Sequence, residues 1–115
     1  MNVKEFAKRF NLRVAAGQKK LTRQIQGGYC GDQLSDVMAN APTGCIWLTV
    51  QTHPNIVSVA VLHAMAAIVL TGGRTPDPET IDRANQEGIP LLVWPDSAYN
   101  LAGQAFAAGL AWQSG

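Results

Sequence analysis

Three short stretches hold side chains and bare backbone with anion-binding chemistry: Gly27-Gly28-Tyr29-Cys30-Gly31-Asp32, Thr52-His53-Pro54-Asn55 and Thr71-Gly72-Gly73-Arg74. Glycines let backbone N–H groups approach a phosphate, hydroxyls and an amide side chain add neutral partners, and a guanidinium supplies a charged fork. The candidate ligand-binding residues are Gly28, Asp32, Thr52, His53, Asn55, Thr71, Gly72, Gly73 and Arg74. Glycines after strands are also what tight turns require, so a ligand site and a set of plain turns are both open readings. His53 fits a capping role better than a catalytic one. His63, set in an apolar stretch, reads as a surface or interface residue of a helix. Arg74 is the best single candidate, because an exposed turn needs no guanidinium in order to fold.

The residue sets of familiar enzymes are missing. The chain has no GxxxxGK[ST] phosphate loop, no GxGxxG after a strand, no GxSxG elbow and no HExxH helix. Asp32 and Asp36 stand one helical turn apart, a spacing more often found on a solvated face. Cys30 and Cys45 are the only cysteines and do not form a CxxC half-site, so they read as two buried thiols in a reducing compartment. No catalytic residue, metal ligand or cofactor is expected, and the chain does not read as an enzyme.

Charge narrows the partners. Nine Lys plus Arg against eight Asp plus Glu leave a formal net charge of +1, which gives no bulk attraction to nucleic acid or an acidic membrane. Arg9, Arg13, Lys19, Lys20 and Arg23 form the only basic cluster, assigned to the first helix and the loop behind it as solvated surface. The opening Met1-Asn2-Val3-Lys4-Glu5-Phe6 is too charged for a signal peptide. The apolar run Ile56 to Leu70 is broken by Ser58 and His63 and is shorter than the ~20 residues needed to span a bilayer. A cytoplasmic location is expected.

The elements that must position these turns follow from periodicity. Val3, Phe6, Ala7 and Phe10 recur at helical spacing, and a short extended piece around Leu12 to Ala15 follows. Leu21 to Gln26 alternates like a half-exposed strand. Asp32 then suits the N-cap of a helix through Leu34, Val37 and Met38. A strand–turn–helix unit next occurs three times: Cys45–Gln51 with a helix over Ile56–Met65, Ala67–Leu70 with a helix opened by Asp77-Pro78 and closed by Gly88, and Leu91–Trp94 with a helix starting at Ala98. Short apolar strands alternating with helices specify right-handed parallel crossovers. The fold class is therefore α/β, a compact sandwich with a mostly parallel central sheet flanked by helices, forming one domain over 1–115. In such a sheet ligands bind beyond the carboxyl ends of the strands, where these turns should meet.

Leu21-Thr22-Arg23, Gly28, Gly31-Asp32, Ser35-Asp36-Val37-Met38, Thr52-His53-Pro54-Asn55 and Ile68-Val69-Leu70-Thr71-Gly72-Gly73 resemble the DRTGG domain family in order and spacing, essentially end to end. The resemblance implies an α/β domain that occurs alone or joined to regulatory and enzymatic modules, including paired CBS domains and phosphotransacetylases. Members are sometimes labelled HPr serine kinases, a label at odds with a chain lacking a phosphate loop. Small members similar to this one are encoded beside hydrogenase-type iron–sulfur proteins and anti-sigma-type kinases in anaerobic bacteria, which implies a regulatory or accessory role and a redox or hydrogenase-related partner. Two departures stand out: Thr22 occupies the position of an Asp in many members, and Thr-His-Pro-Asn replaces a turn that is often Gly-Asp-Arg.

Two functions follow. One is a sensor that binds a small anionic ligand, such as a nucleotide or phosphate metabolite, at the strand ends. The other is an interaction or dimerisation module without a ligand, using the apolar helix Ile56–Met65 or the Trp112-bearing end. A homodimer is expected in either case, because that helix is apolar on nearly every side.

Overall fold

A computed structural model of the chain describes residues 1–111. Its centre is a five-stranded sheet of β1 (Arg13–Ala16), β2 (Gly27–Cys30), β3 (Cys45–Thr49), β4 (Ala67–Leu70) and β5 (Leu91–Val93), in the order β1-β5-β4-β3-β2. Strands β2 to β5 are mutually parallel, and β1 runs antiparallel to β5 at one edge. The helices are α1 (Val3–Arg9), α2 (Leu34–Asn40), α3 (Asn55–Leu62), α4 (Pro78–Glu87) and α5 (Ala98–Ala107).

Burial explains why β3 and β4 read as continuous apolar runs. Every residue of both is buried, since successive side chains enter opposite layers. Cys45, Trp47, Ile68, Leu70 and Leu91 pack with α2, α3 and α4 through Val37, Ile56, Val57, Ala60 and Ala84. Ile46, Leu48, Ala67, Val69 and Leu92 pack on the other side with α1 and α5 through Val3, Phe6, Leu101 and Ala105. The α/β sandwich expected from periodicity is thus present as three layers. No helix among the described residues is long and apolar enough to cross a membrane.

Two elements differ from the sequence reading. Leu21–Gln26 is not a strand of the sheet. Its backbone holds the N-terminus, taking Lys4 N–H on Leu21 O (2.9 Å) and Val3 N–H on Arg23 O (3.0 Å), and donating Ile25 N–H to Met1 O (3.0 Å). The strand is the glycine-containing Gly27–Cys30 that follows, whose apolar signal is weak because glycine carries no side chain. The basic cluster also divides: Arg13 begins β1, and Arg23 is partly buried with Nη1 donating to the Met65 carbonyl (3.1 Å). The Trp112 end lies outside the described residues.

Only one of the two cysteines expected to be buried is so: Cys30, at the end of β2, is exposed. Burial raises the thiol of Cys45, at the start of β3, from 9.0 to about 11, and partial desolvation, with the Asp32 charge, raises Cys30. The unfolded chain therefore loses the Cys45 proton before the folded chain does, and stability falls as pH rises from about 9 to about 11. The expected loss is on the order of 2 kcal/mol in chemical denaturation across that window, absent below it, and reduced by Cys45→Ala to what Cys30 contributes. A flat profile through the window would contradict the burial of this thiol.

Candidate anion site at the strand carboxyl edge

Because β2 to β5 are parallel, their carboxyl ends share one edge, and the turns at Thr52, Thr71 and Pro95 lie together there as expected. The antiparallel strand adds a residue the sequence reading placed elsewhere. Arg13, which opens β1, pairs with Val93 at the end of β5 and so stands on the same edge. Nothing local in the sequence marks the direction of a four-residue edge strand.

The three turns are laced to one another. Asp32 is not the cap of α2; Gln33 occupies that position without a side-chain bond. The Asp32 carboxylate instead crosses to the end of β3, where Oδ1 accepts from Thr49 Oγ1 (3.0 Å) and Val50 N–H (2.9 Å), and its carbonyl accepts from Gln51 Nε2 (2.8 Å). Two donors at a strand end hold it better than the first turn of a seven-residue helix. The Thr52 carbonyl accepts from Asp77 N–H (3.3 Å) and Thr80 Oγ1 (2.6 Å), joining the β3 turn to α4. Thr71 is buried, and both its N–H (3.0 Å) and its hydroxyl (3.5 Å) donate to the Thr49 carbonyl.

Gly72 and Gly73 take left-handed backbone angles, φ 72° and 70°, which glycine adopts without penalty. Their amides point to the neighbouring turn: Gly72 N–H donates to Asp96 O (2.7 Å) and Gly73 N–H to Trp94 O (3.1 Å). A Cβ at Gly72 would meet nothing within 4 Å, and one at Gly73 would meet the Pro95 carbonyl oxygen at 3.5 Å, so the shoulder these glycines form is open at Gly72 and in ordinary contact with the next turn at Gly73. Arg74 follows them, exposed, with no hydrogen bond or ion pair to any described residue. Asn55 is exposed at the first position of α3. Gly28 is apart from this group. It lies within β2 on the face toward α5, and lines an apolar cavity of about 260 Å³ with Ile46, Leu48 and Phe106.

Three carboxylates of the edge are engaged, while Glu79 in the first turn of α4 is exposed with no hydrogen bond or ion pair to a described residue. Asp77 Oδ2 lies 3.0 Å from His53 Nδ1, and this pair is exposed. Asp96 accepts from Ser97 N–H (2.7 Å) on Oδ1 and from Asn100 Nδ2 (3.1 Å) on Oδ2. Those bonds, the Ser97 amide foremost, hold the Asp96 carboxyl below the usual carboxylate range. Among the described residues no group of three His, Cys, Asp or Glu is arranged to hold a metal ion. Among the described residues, His53, Asn55 and Arg74 line none of five surface cavities of about 180 to 570 Å³.

No family model matches the sequence, and no curated protein matches it either. Among solved structures, one covers 89% of this chain with a TM-score of 0.71 at 13% identity. It contains the CBS and DRTGG domains of the regulatory region of Clostridium perfringens pyrophosphatase, in complex with its activator diadenosine tetraphosphate. The two share a fold. The match covers 44% of that chain, so this protein spans less than half the length of its structural neighbour.

Proposed function

We propose that the protein is a non-catalytic regulatory or accessory domain that binds a small anionic ligand, a nucleotide or another phosphate metabolite, at the carboxyl edge of its sheet. One observation carries this reading. Asp32, Asp77 and Asp96 are each held by partners within the protein, whereas the Arg74 guanidinium beside the Gly72–Gly73 shoulder has no hydrogen-bond or ion-pair partner among the described residues. An anion at this place meets a charged fork and acids whose oxygens already accept hydrogen bonds. Arg74 supplies the charge, Asn55 and the Thr52 hydroxyl add neutral partners, and Asp77 orients His53. Asp32, Thr71 and the two glycines shape the edge, and Gly28 stays outside it. A regulatory region of which 44% shares this fold is bound to a nucleotide activator, diadenosine tetraphosphate, which supports the same ligand class here.

The alternative, an interaction module with no small-molecule ligand, is favoured by exposed aromatic rings on α5. Native mass spectrometry of protein purified from its own cells, followed by a thermal-shift panel of nucleotides and phosphate metabolites, separates the two. Ligand at 100 times its Kd stabilises the folded state by ~2.7 kcal/mol, an upward shift of about 10 °C or more for a domain of this size. No co-purifying compound and no shift across the panel would favour the interaction module.

A further inference from the structure

His53 and Asp77 form a side-chain pair that neither neighbouring helix uses. Asp77 stands at the N-cap of α4, where an aspartate ordinarily accepts an amide of the first turn, yet its side chain makes no cap bond. Its Oδ2 lies instead against His53 Nδ1, 3.0 Å away. His53, read from the sequence as a cap, does not cap α3 either, since Pro54 holds that position and the imidazole makes no bond to the helix. Both backbones are fixed. The His53 carbonyl accepts from Ile56 N–H (3.2 Å), and the Thr52 carbonyl beside it accepts from Asp77 N–H (3.3 Å) and Thr80 Oγ1 (2.6 Å). The His53 side chain is 67% exposed and that of Asp77 40%. Ion pairs so exposed contribute little to stability, so folding does not account for the pair.

A carboxylate only accepts hydrogen bonds, so this contact places the imidazole proton on Nδ1. The lone pair of the uncharged ring is then on Nε2, which has no hydrogen-bond partner among the described residues. An exposed imidazole held in one tautomer by a carboxylate is a nucleophile with its reactive nitrogen left free. We propose that His53 is a phosphorylation site, taking a phosphoryl group on Nε2 from a phosphoramidate donor. The Nε2 lone pair forms the bond to phosphorus, the donor's P–N bond breaks, and the electron pair of that bond leaves with the donor nitrogen. In inorganic phosphoramidate this nitrogen is already protonated and departs as ammonia. The ring becomes positively charged, and the Asp77 carboxylate facing Nδ1–H meets that charge. The bond made is of the same kind as the bond broken, so the transfer needs no further energy source. Such a donor suits a chain without the phosphate loop that would hold a nucleoside triphosphate. Arg74, three residues before Asp77, brings a cation to the same edge for the phosphoryl oxygens. The inference stands on the His53–Asp77 pair and not on the ligand reading above, since a bound anion requires no phosphoryl transfer.

Treatment of the full chain with potassium phosphoramidate near neutral pH tests it, with N-acetylhistidine in the same tube as the reference nucleophile. Rates at His53 and His63 are read by mass spectrometry of the digested protein, kept alkaline because phosphohistidine is acid-labile, and the modified ring nitrogen by NMR. His53 should react about 10-fold or more faster than N-acetylhistidine, well below the ~10⁴ that an orienting carboxylate supplies in a buried catalytic triad. The phosphate should sit on Nε2. Asp77→Asn keeps a good N-cap residue and should melt with the wild type. In that variant His53 should fall to the rate of N-acetylhistidine, with His63 unchanged. A His53 that reacts no faster than N-acetylhistidine overturns the proposal, as does phosphate on Nδ1 or an Asp77→Asn protein labelled at the wild-type rate. Neither the wild-type rate ratio nor the ring position depends on how the variant folds.

Discussion

Trp47→Ala should lower the stability of the domain by ~3–5 kcal/mol, the range for truncating a large buried aromatic side chain. Trp47 is fully buried in β3, next to the edge strand β2, among Val37, Ile56, Val57 and Ala60. Its indole Nε1 also donates to the carbonyl of Gly31 (2.8 Å), so truncation removes both the filled volume and a partner. Native domains hold only ~5–15 kcal/mol, so a large share of the total stability is at stake. The melting temperature should fall by about 12 °C or more at ~4–8 °C per kcal/mol for a small domain.

Trp47→Phe divides that effect. It keeps most of the buried ring and loses the Nε1 hydrogen bond, with an expected change of ~1–2 kcal/mol. The Gly31 carbonyl immediately precedes Asp32, which ties the β2 turn to Thr49 and Val50. Faster hydrogen exchange at Val50 in Trp47→Phe, with exchange in β4 unchanged, would show that this core residue helps hold the strand edge. Equal destabilisation by Trp47→Ala and Trp47→Phe in urea denaturation would contradict the packing role.

Much of the architecture is written in local pattern. Apolar runs too short for helices, each followed by a turn and a helical period, specify β3, β4 and β5 and their shared direction, because only parallel strands accommodate a helix between them. Pro78 at the start of α4 and Gly88 at φ 69° after it are signals legible without coordinates. Strand β2 was illegible for the opposite reason: Gly27 and Gly28 contribute no hydrophobic period, and the alternating stretch before them serves the N-terminus instead. The candidate site was legible as to which turns meet, since that follows from strand direction.

What each residue does at the edge depended on contacts far apart in sequence. Asp32 reads locally as a helix cap, yet its partners Thr49 and Val50 lie a whole helix away. Gly72 and Gly73 read as donors of free amides, yet those amides are spent on Trp94 and Asp96 carbonyls in the next turn. Arg13 reads as solvated surface until the antiparallel pairing of β1 brings it to the edge.

Arg74→Ala is the second variant with a large expected effect, and it falls on binding. The side chain is exposed and makes no hydrogen bond or ion pair with the described residues, so folding stability should change by no more than about 0.5 kcal/mol. Loss of a hydrogen-bonded guanidinium from a bound phosphate should weaken affinity by ~1.5–3 kcal/mol, about 10- to 150-fold. Lys19 provides the control, being an exposed cation beyond the carboxyl terminus of β1, on the opposite edge of the sheet. Since exposed charges are screened by salt, the comparison belongs at low ionic strength.

Isothermal titration of ADP and of inorganic pyrophosphate into the wild type, Arg74→Ala and Lys19→Ala is therefore the most direct measurement. Anion binding at the strand edge predicts a heat of binding in the wild type for at least one of the two, a 10- to 150-fold weaker Kd in Arg74→Ala, and no change in Lys19→Ala, with all three proteins melting alike. Binding that is equal in all three, lost equally in both variants, absent from the wild type, or lost only because Arg74→Ala unfolds would contradict it.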